Sequence, residues 1–529
     1  MFQIQIPSLI DVSLFTSLAS LVILGLLNWY WKKTSTSTSS NDLLRLPPGP
    51  WKLPLIGNLH QFALAGSLPH HFLRDLANKY GPIMHLKTGQ VSTVVISSPE
   101  LAKQVLIHEA AAFSNRPTLL AMEVLSYNYS GLFSSPCNDY WREMRKICVL
   151  ELLSAKRVLS SASLREEETW NLVESITHLS PLVINLSEMI FSMVNRIIAR
   201  AALGKKCKHE QEFTSLVHQI FILGSSFDVT DLFPSLKFLH HVTSAKSSLE
   251  NIHRKMDMIL DEIIDDHKLV KGKSTKNAAA KSIPKSNVPE SAGEDHQGLV
   301  NVLLQLQESG ELQFELTTNH IKAVTMDIYT AGSETSATTI EWAMSELLRN
   351  PRAMEKAQFE VRQLLAGKRK IQEIDLKELD YLKLVIKETL RLHTPVPFII
   401  RQATKRCRVS GYDVPSEAKV LINAWAIGRD PKHWGADADR FEPERFQSSS
   451  TDFRGTSFEF LPFGTGKRIC PGISFGTAIV ELALSQLLYF FNWKLPNGTK
   501  PQEIDMTETM GIAARRRNEL NAIAIPFFP

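Results

Sequence analysis

The apolar residues of this chain recur at helical spacing along most of its length. The clearest run covers residues 318–349, which lack proline and carry Ile321, Val324 and Ile328 at intervals of three and four. It ends just before Pro351. A helix of this length, at about 1.5 Å per residue, can cross a whole domain.

The same patterns predict two further helices, one hairpin and one loop. The helices cover residues 383–392 and the strongly apolar residues 474–491. Short β-branched stretches at residues 83–86 and 91–96 flank a Thr-Gly-Gln turn, which is typical of a β-hairpin. Between residues 271 and 297 polar residues replace the apolar periodicity, so we expect a disordered surface loop whose lysines are solvated or touch anionic lipid. Helices predominate, which indicates a mainly α fold with small β-sheets.

Residues 12–31 have the length and composition of a membrane anchor. They are almost continuously apolar and uncharged, and a helix of this length spans roughly the 30 Å of a bilayer core. Asp11 precedes the run and Lys32 and Lys33 follow it, so the positive-inside rule places the rest of the chain in the cytoplasm. A cleaved signal peptide is the alternative, although it normally has a basic start and a shorter apolar run.

Three segments are therefore expected along the chain. Residues 1–31 form a luminal tip and a membrane anchor, and residues 32–50 form a polar tether that ends in a Pro-Pro-Gly-Pro hinge. A plain linker would show the same features as that tether. Residues 51–529 contain no second apolar span, no repeat and no lasting change in composition, so they are expected to form one catalytic domain.

Composition and charge exclude several classes of protein. Hydrophobic residues make up 44% of the 529 residues, which excludes a disordered chain. With 59 Lys and Arg against 55 Asp and Glu, the net charge is only +4, so a nucleic-acid partner is not expected. The cysteines are scattered, which argues against a disulfide framework and a zinc site and for reduced thiols facing the cytosol. They are Cys137, Cys148, Cys207, Cys407 and Cys470.

The candidate chemistry is concentrated in residues 463–472, whose sequence is FGTGKRICPG. Its glycines permit a tight loop, and Cys470 stands just before a predicted helix, beside Lys467 and Arg468. The positive end of that helix and the two cations are expected to favour the thiolate. An isolated cysteine is usually an inert buried thiol, but a single thiolate can also be the axial ligand of a haem.

This segment resembles the haem-binding loop of the cytochrome P-450 superfamily, the haem-thiolate monooxygenases. Three more motifs stand in the order that the superfamily shows, namely AGSETS at residues 331–336, ETLR at residues 388–391 and FEPERF at residues 441–446. Within the superfamily, the chain resembles the plant microsomal enzymes. The resemblance implies a cytochrome P-450 fold, haem b (iron protoporphyrin IX) as cofactor and Cys470 as the axial ligand of its iron.

The resemblance also implies roles for individual residues. Thr335 and Glu334 would direct protons to bound oxygen, although hydroxyl back-bonding within the helix is the simpler interpretation of Thr335. Gly332 would let the flat cofactor approach the long helix. The other positions implied to contact the cofactor are Trp141, Arg145, Arg401, Arg468 and Phe463.

A buried ion-pair network is implied for Glu388, Arg391 and Arg445. Glu388 and Arg391 are three residues apart, hence on one helix face, and Arg445 can add a second guanidinium. A surface pair worth little is the alternative. The resemblance implies that the network is structural and holds the haem-binding loop.

The implied activity is oxygenation of a small apolar substrate. The segments implied to line its pocket, residues 113–133, 325–335, 395–399 and 510–513, are largely apolar. Similar plant enzymes suggest a sesquiterpene or diterpene; oxidation of an alkaloid or phenylpropanoid, and a non-oxygenating isomerase or dehydratase, remain alternatives. No flavin or nicotinamide domain is recognisable, so electrons are expected from NADPH-cytochrome P-450 reductase. The enzyme is then expected at the endoplasmic reticulum membrane, in contact with lipid.

Overall fold

The computed structural model describes residues 44–204, 210–224, 228–241, 244–279 and 298–527, together with Gly25. The predicted anchor lies outside these ranges apart from Gly25, and so does most of the predicted tether. Within them one helix, Ile473–Phe490, has the length and the mean hydropathy of 1.5 that a membrane span needs. Since 61% of this helix is buried inside the protein, it is also what a core helix of a globular protein looks like.

Helices form most of the described chain. The α-helices are α1 (Leu59–Leu64), α2 (Pro69–Tyr80), α3 (Pro99–Lys103), α4 (Leu120–Leu125), α5 (Asp139–Cys148), α6 (Ala155–Ser160), α7 (Ala162–Leu179), α8 (Leu186–Leu203), α9 (Glu210–Gly224), α10 (Val229–Leu232), α11 (Ser244–Ala279), α12 (Leu299–Ser309), α13 (Thr318–Arg349), α14 (Pro351–Leu364), α15 (Asp380–Leu392), α16 (Ala424–Ile427), α17 (Pro431–Trp434) and α18 (Ile473–Phe490). Single π-helical turns at Gln104–His108 and Val149–Leu153 extend α3 and α5. Short 3-10 helices occupy Pro234–His241, Glu373–Glu378, Pro443–Phe446, Gly466–Arg468, Pro496–Gly498 and Pro501–Glu503.

The strands form small sheets at the edge of the helical core. They are β1 (Ile83–Thr88), β2 (Val91–Ile96), β3 (Val183–Asn185), β4 (Phe398–Gln402), β5 (Cys407–Val409), β6 (Tyr412–Val414), β7 (Lys419–Asn423), β8 (Phe491–Lys494), β9 (Glu508–Met510), β10 (Ala514–Arg516) and β11 (Asn521–Pro526). One sheet has the order β1-β2-β7-β4 and another the order β3-β11-β8, while β5–β6 and β9–β10 are two-stranded. The mainly α fold with small sheets is therefore confirmed.

Helix α13 is the centre of the core and has the bounds that the sequence predicts. Thr317 begins it with a capping box, in which the threonine hydroxyl accepts from the His320 N–H at 3.3 Å. Asn350 ends it, immediately before Pro351. Residues 336–348 are buried on every side, because α13 packs between α8 and α18.

Other boundaries confirm or correct the sequence-based predictions. The hairpin β1–β2 is present in antiparallel register. Helix α15 begins at Asp380, earlier than predicted, because the Glu360 carboxylate of α14 accepts from the N–H groups of Tyr381 and Leu382 at 2.7 and 3.0 Å. Helix α18 ends at Phe490, since Phe491 is the first residue of β8.

The predicted loop over residues 271–297 is wrong at its start. Helix α11 continues to Ala279. Lys and Ala are strong helix formers, so a loss of apolar periodicity alone did not end the helix. Residues 280–297 lie outside the described ranges.

Candidate active site

One face of α13 is accessible in the middle of a largely buried helix. Ala331 is exposed, and Ile328 and Thr335, which share its face at spacings of three and four, are half-buried. A Cβ atom on Gly476, in the first turn of α18, would lie 3.5 Å from the Ser336 Oγ atom. The start of α18, and the loop that leads to it, therefore lie beside this face.

The loop before α18 is folded back so that it presents Cys470. The Cys470 N–H donates to the Phe463 carbonyl at 3.0 Å, which closes the loop. Gly464 and Gly466 have φ of 68° and 70°, the left-handed region that favours glycine. A Cβ on Gly466 would lie only 2.8 Å from the Leu106 carbonyl oxygen, so this position also requires glycine for space.

Opposing influences act on the pKa of the Cys470 thiol. Burial raises it, while the Gly472 N–H and the Arg145 guanidinium oppose that rise in part. Of the two cations beside it in sequence, Lys467 is exposed, and Arg468 donates to the Ser114 carbonyl at 2.7 Å. The thiolate stays a prediction, and a bound iron would favour it, because a metal-coordinated thiol is deprotonated.

Three arginines converge near this loop, and none of them forms an ion pair with a carboxylate of the described residues. Arg116 and Arg401 both donate to the Ile400 carbonyl, at 2.7 and 2.8 Å. Burial and the nearby charges of Arg401 and Arg468 hold the pKa of Arg116 well below its usual range. Burial and the Arg468 charge lower the pKa of Arg401 to about 9. The Nε atom of Arg116 is buried without a hydrogen-bond partner.

Trp141 and Arg145 lie on one face of α5, next to this cluster. The Trp141 indole N–H donates to the Leu132 carbonyl at 3.0 Å, so in this structure it is not available to an external carboxylate. Its ring packs against the guanidinium of Arg468, 4.4 Å from the ring centroid. Arg145 donates to the Ile469 carbonyl at 2.6 Å, next to Cys470. Both side chains thus support the cationic groups and the cysteine loop.

Glu334 and Thr335 are both already engaged in hydrogen bonds. The Thr335 hydroxyl donates to the Ala331 carbonyl at 2.7 Å. The buried Glu334 carboxylate lies 3.2 Å from the Arg515 guanidinium of β10. Burial raises the pKa of Glu334, while Arg515 opposes that rise. The acid is therefore poised between its two protonation states more closely than a solvated glutamate.

Gly332 lies on the side of α13 that faces α8. A Cβ atom at this position would lie 2.9 Å from the Ile198 Cδ1 atom, the flexible end of a side chain of α8. The approach of a flat cofactor to Gly332 stays a prediction.

Glu388, Arg391 and Arg445 form a buried network. Arg391 makes two hydrogen bonds to the Glu388 carboxylate, each of 2.7 Å, and Arg445 lies 3.3 Å from the same group. The Glu388 and Arg391 side chains are 0% exposed. Their remaining polar atoms bind main-chain groups, including the Gly428 carbonyl at 2.7 Å, so the network ties α15 to the segment before the cysteine loop.

Comparison with known proteins decides the family. The cytochrome P-450 family model matches residues 47–521. The chain belongs to the cytochrome P-450 family. It is therefore a haem-dependent monooxygenase, and P-450 enzymes normally take electrons from a separate redox partner and act on hydrophobic substrates.

Plant P-450 enzymes resemble this one over almost their full length. A melianol synthase from Ailanthus altissima is 52% identical over 98% of this chain and 96% of its own. Desmethyl-deoxy-podophyllotoxin synthase from Sinopodophyllum hexandrum is 49% identical over 96% of each chain. Premnaspirodiene oxygenase from Hyoscyamus muticus is 47% identical over 99% of each chain.

The residues present fit the P-450 cofactor, haem b, which the family binds through a cysteine thiolate. Haem offers one iron for a thiolate and two anionic propionates. Cys470 would supply the sulfur, in a loop that lies beside α13. Among the described residues, no carboxylate forms an ion pair with Arg116, Arg401 or Arg468, so this buried positive charge calls for an anionic ligand.

Three residues of the P-450 site escaped the sequence-based reasoning. One sequence feature could have revealed Arg116, because it is a lone cation within an apolar segment implied to line the pocket. Arg515, the partner of Glu334, lies 181 residues away and had none. Asp327 lies one helical turn before Ala331 and accepts from the Phe133 N–H at 2.8 Å. Burial raises its pKa to about 6.

Proposed function

We propose that this enzyme oxygenates a terpenoid, with a sesquiterpene or diterpene as the first candidates. The proposal rests on sequence identity to two named enzymes. The chain is 52% identical to a melianol synthase and 47% identical to premnaspirodiene oxygenase, in both cases over almost its full length. The accessible face of α13 around Ile328 and Ala331 supports it, because an apolar cavity wall favours an apolar substrate.

In this proposal Cys470 is the axial ligand, and Phe463 closes the loop that presents it. Arg116, Arg401 and Arg468 would neutralise the two propionates, while Trp141 and Arg145 support these groups. When bound, haem supplies the reductive activation of dioxygen, which no side chain of the protein can perform. Glu388, Arg391 and Arg445 would act only through the fold.

Thr335 and Glu334 would handle protons. The Thr335 hydroxyl lies on the open face of α13 and can rotate from the Ala331 carbonyl to donate into the cavity. Glu334, adjacent in sequence and kept from water, can hold a proton and return it after each turnover, and Arg515 limits how tightly it holds it.

The finer organisation of the chain is also part of the proposal. Residues 1–31 would anchor the enzyme in the endoplasmic reticulum membrane, residues 32–50 would tether it, and residues 51–529 would form the cytoplasmic catalytic domain. NADPH-cytochrome P-450 reductase would be the electron donor. The apolar run and the two lysines that follow it support this arrangement.

The test is product identification after co-expression with a reductase and a panel of terpenoid scaffolds, with Cys470→Ala as the control. We expect an oxygenated terpenoid from the unchanged enzyme and none from Cys470→Ala, which should also lose the carbon-monoxide difference spectrum of a thiolate-bound haem. Because the podophyllotoxin-related enzyme is 49% identical, oxidation of a phenylpropanoid or alkaloid is the second candidate, and such compounds belong in the panel. Product without consumption of NADPH would instead indicate an isomerase or dehydratase.

A further inference from the structure

A buried carboxylate outside the site joins three distant parts of the chain. The Glu508 Oε2 atom of β9 lies 2.8 Å from the His70 Nε2 atom and 3.3 Å from the His71 Nε2 atom, both at the start of α2. Its Oε1 atom lies 3.8 Å from the Nδ1 atom of His393, the residue that ends α15. The side chains of His70, His393 and Glu508 are 0%, 7% and 7% exposed.

The Glu508 carboxylate accepts hydrogen bonds from His70 and His71 and lies close to His393. Burial alone would raise the pKa of Glu508, but its contacts with these three imidazoles hold it well below its usual range. Glu508 is therefore an anion that the histidines bind firmly. The other nitrogen of His393 binds Glu346 of α13 at 2.7 Å, so the cluster extends into the central helix.

The same atoms could suggest a metal site, since the two Nε2 atoms and the carboxylate lie within 4.8 Å of one another. A separation of 2.8 Å, however, is a direct hydrogen bond, whereas two ligands of tetrahedral zinc lie about 3.3 Å apart. The His70 Nδ1 atom is also buried without a partner, although a metal-bound histidine normally donates from its second nitrogen. We therefore interpret the cluster as hydrogen bonded.

The hairpin that Glu508 begins reaches the active site. Arg515, on the paired strand β10, contacts Glu334 at 3.2 Å. The Ala514 N–H donates to the Pro395 carbonyl at 2.8 Å, in a segment implied to line the pocket. In the turn, a Cβ on Gly511 would lie 3.1 Å from the Phe221 carbonyl oxygen of α9. One hairpin thus carries both a contact to Glu334 and a contact to a segment implied to line the pocket.

We propose that Glu508 is a positioning residue for oxygenation. Held by histidines from α2 and from the end of α15, its carboxylate fixes the β9–β10 hairpin. Arg515 then keeps its contact with Glu334, and residues 511–513 keep their place against α9. The effect on proton handling rests on the role proposed above for Glu334, while the effect on the cavity wall does not.

The experiment compares full-length Glu508→Gln with the unchanged enzyme, reconstituted with a reductase and using premnaspirodiene as the probe. We expect the carbon-monoxide spectrum to persist while product per NADPH falls about tenfold and the ratio of products changes, since a displacement of about 1 Å can cost up to about a hundredfold. A merely structural role would lower the amount of folded enzyme but not the coupling per haem. Glu503→Gln is the matched control, because Glu503 is exposed and, within the described part of the chain, its carboxylate accepts only from the Lys500 N–H.

Two further measurements make every outcome decisive. Hydrogen exchange of residues 509–516 should quicken in Glu508→Gln and not in Glu503→Gln. Arg515→Gln should also lower coupling, and the losses of the two single variants should be less than additive in the double variant, because part of the effect of Glu508 acts through Arg515. If Glu508→Gln changes neither the hydrogen exchange of residues 509–516 nor the product formed per NADPH, the proposal is wrong. If premnaspirodiene yields no product even from the unchanged enzyme, the proposed substrate fails, and the exchange of the hairpin alone decides the role of Glu508.

Discussion

Thr335 is the residue at which a structural hydrogen bond and a proposed chemical role compete. Its hydroxyl donates to the Ala331 carbonyl at 2.7 Å, and one turn later Thr339 makes the equivalent bond to the Thr335 carbonyl at 2.8 Å. Only Thr335 is half-buried on the open face of α13, whereas Thr339 is buried. Variants of the two threonines therefore distinguish a loss of proton transfer from the loss of a hydrogen bond within the helix.

Thr335→Ala should leave folding and the thiolate spectrum intact but uncouple the enzyme. The variant deletes a small polar group, so NADPH consumption should continue while peroxide replaces product. General acid–base groups contribute about 10² to 10⁴ in rate, which sets the scale of the loss. Thr339→Ala is the control and should remain coupled. Full coupling in Thr335→Ala would mean that this hydroxyl does not relay protons.

At the scale of elements, Glu388 connects helix α15 to the segment that precedes the cysteine loop. This carboxylate joins α15 to the 3-10 helix Pro443–Phe446, since it also accepts from the Glu442 N–H at 2.9 Å. On the same helix, Asp380 and Lys383 form a pair with equal spacing at 3.2 Å, but the Asp380 side chain is 87% exposed. Helix α15 therefore carries one buried and one solvated version of the same ion pair.

Glu388→Gln should destabilise the holoenzyme strongly, because Arg391 and Arg445 would keep their charges without an anion. Breaking a buried pair in this way costs about 3–5 kcal/mol. The measurement is the denaturation midpoint of the haem-bound form, supported by the yield of holoprotein if the variant folds poorly. Asp380→Asn should change neither. Equal stability of both variants would show that the network is dispensable.

On the scale of the whole molecule, two distant segments place apolar side chains on the surface near each other. Trp51 is 65% exposed, Leu64 83% and Phe238 68%. The hairpin β1–β2 links their segments, since the Gln90 N–H donates to the Leu232 carbonyl at 2.8 Å and its side chain to the Ser235 hydroxyl at 2.6 Å. This is a surface that can lie on lipid beside the proposed anchor.

Deletion of residues 1–31 should therefore preserve the thiolate spectrum but leave part of the enzyme bound to membranes. Adding Leu64→Ser and Phe238→Ser to the deletion should release that part into the soluble fraction, which sedimentation with lipid vesicles measures. In the full-length enzyme the exposed acceptor sequence at Asn128 should stay free of glycan in a eukaryotic host. A glycan there would place the domain in the lumen and contradict the proposed orientation.

Local sequence was sufficient for several elements and for the tight turn of the cysteine loop. The bounds of α13 follow from its periodicity, its capping threonine and the proline beyond it, all of which act within a few residues. The cysteine loop follows from its glycines, since the backbone conformation depends on the residues themselves. The spacing of Glu388 and Arg391 placed both on one helix face for the same reason.

Only the tertiary structure decided which residues distant in sequence contact one another. Arg515 binds Glu334 across 181 residues, and Arg116 joins Arg401 and Arg468 because a loop, strand β4 and the 3-10 helix Gly466–Arg468 meet, which no local spacing encodes. The burial that raises the pKa of the Cys470 thiol likewise arises only when the chain folds. Local propensities act within a few residues, whereas long-range contacts and solvent exclusion arise when the whole chain packs.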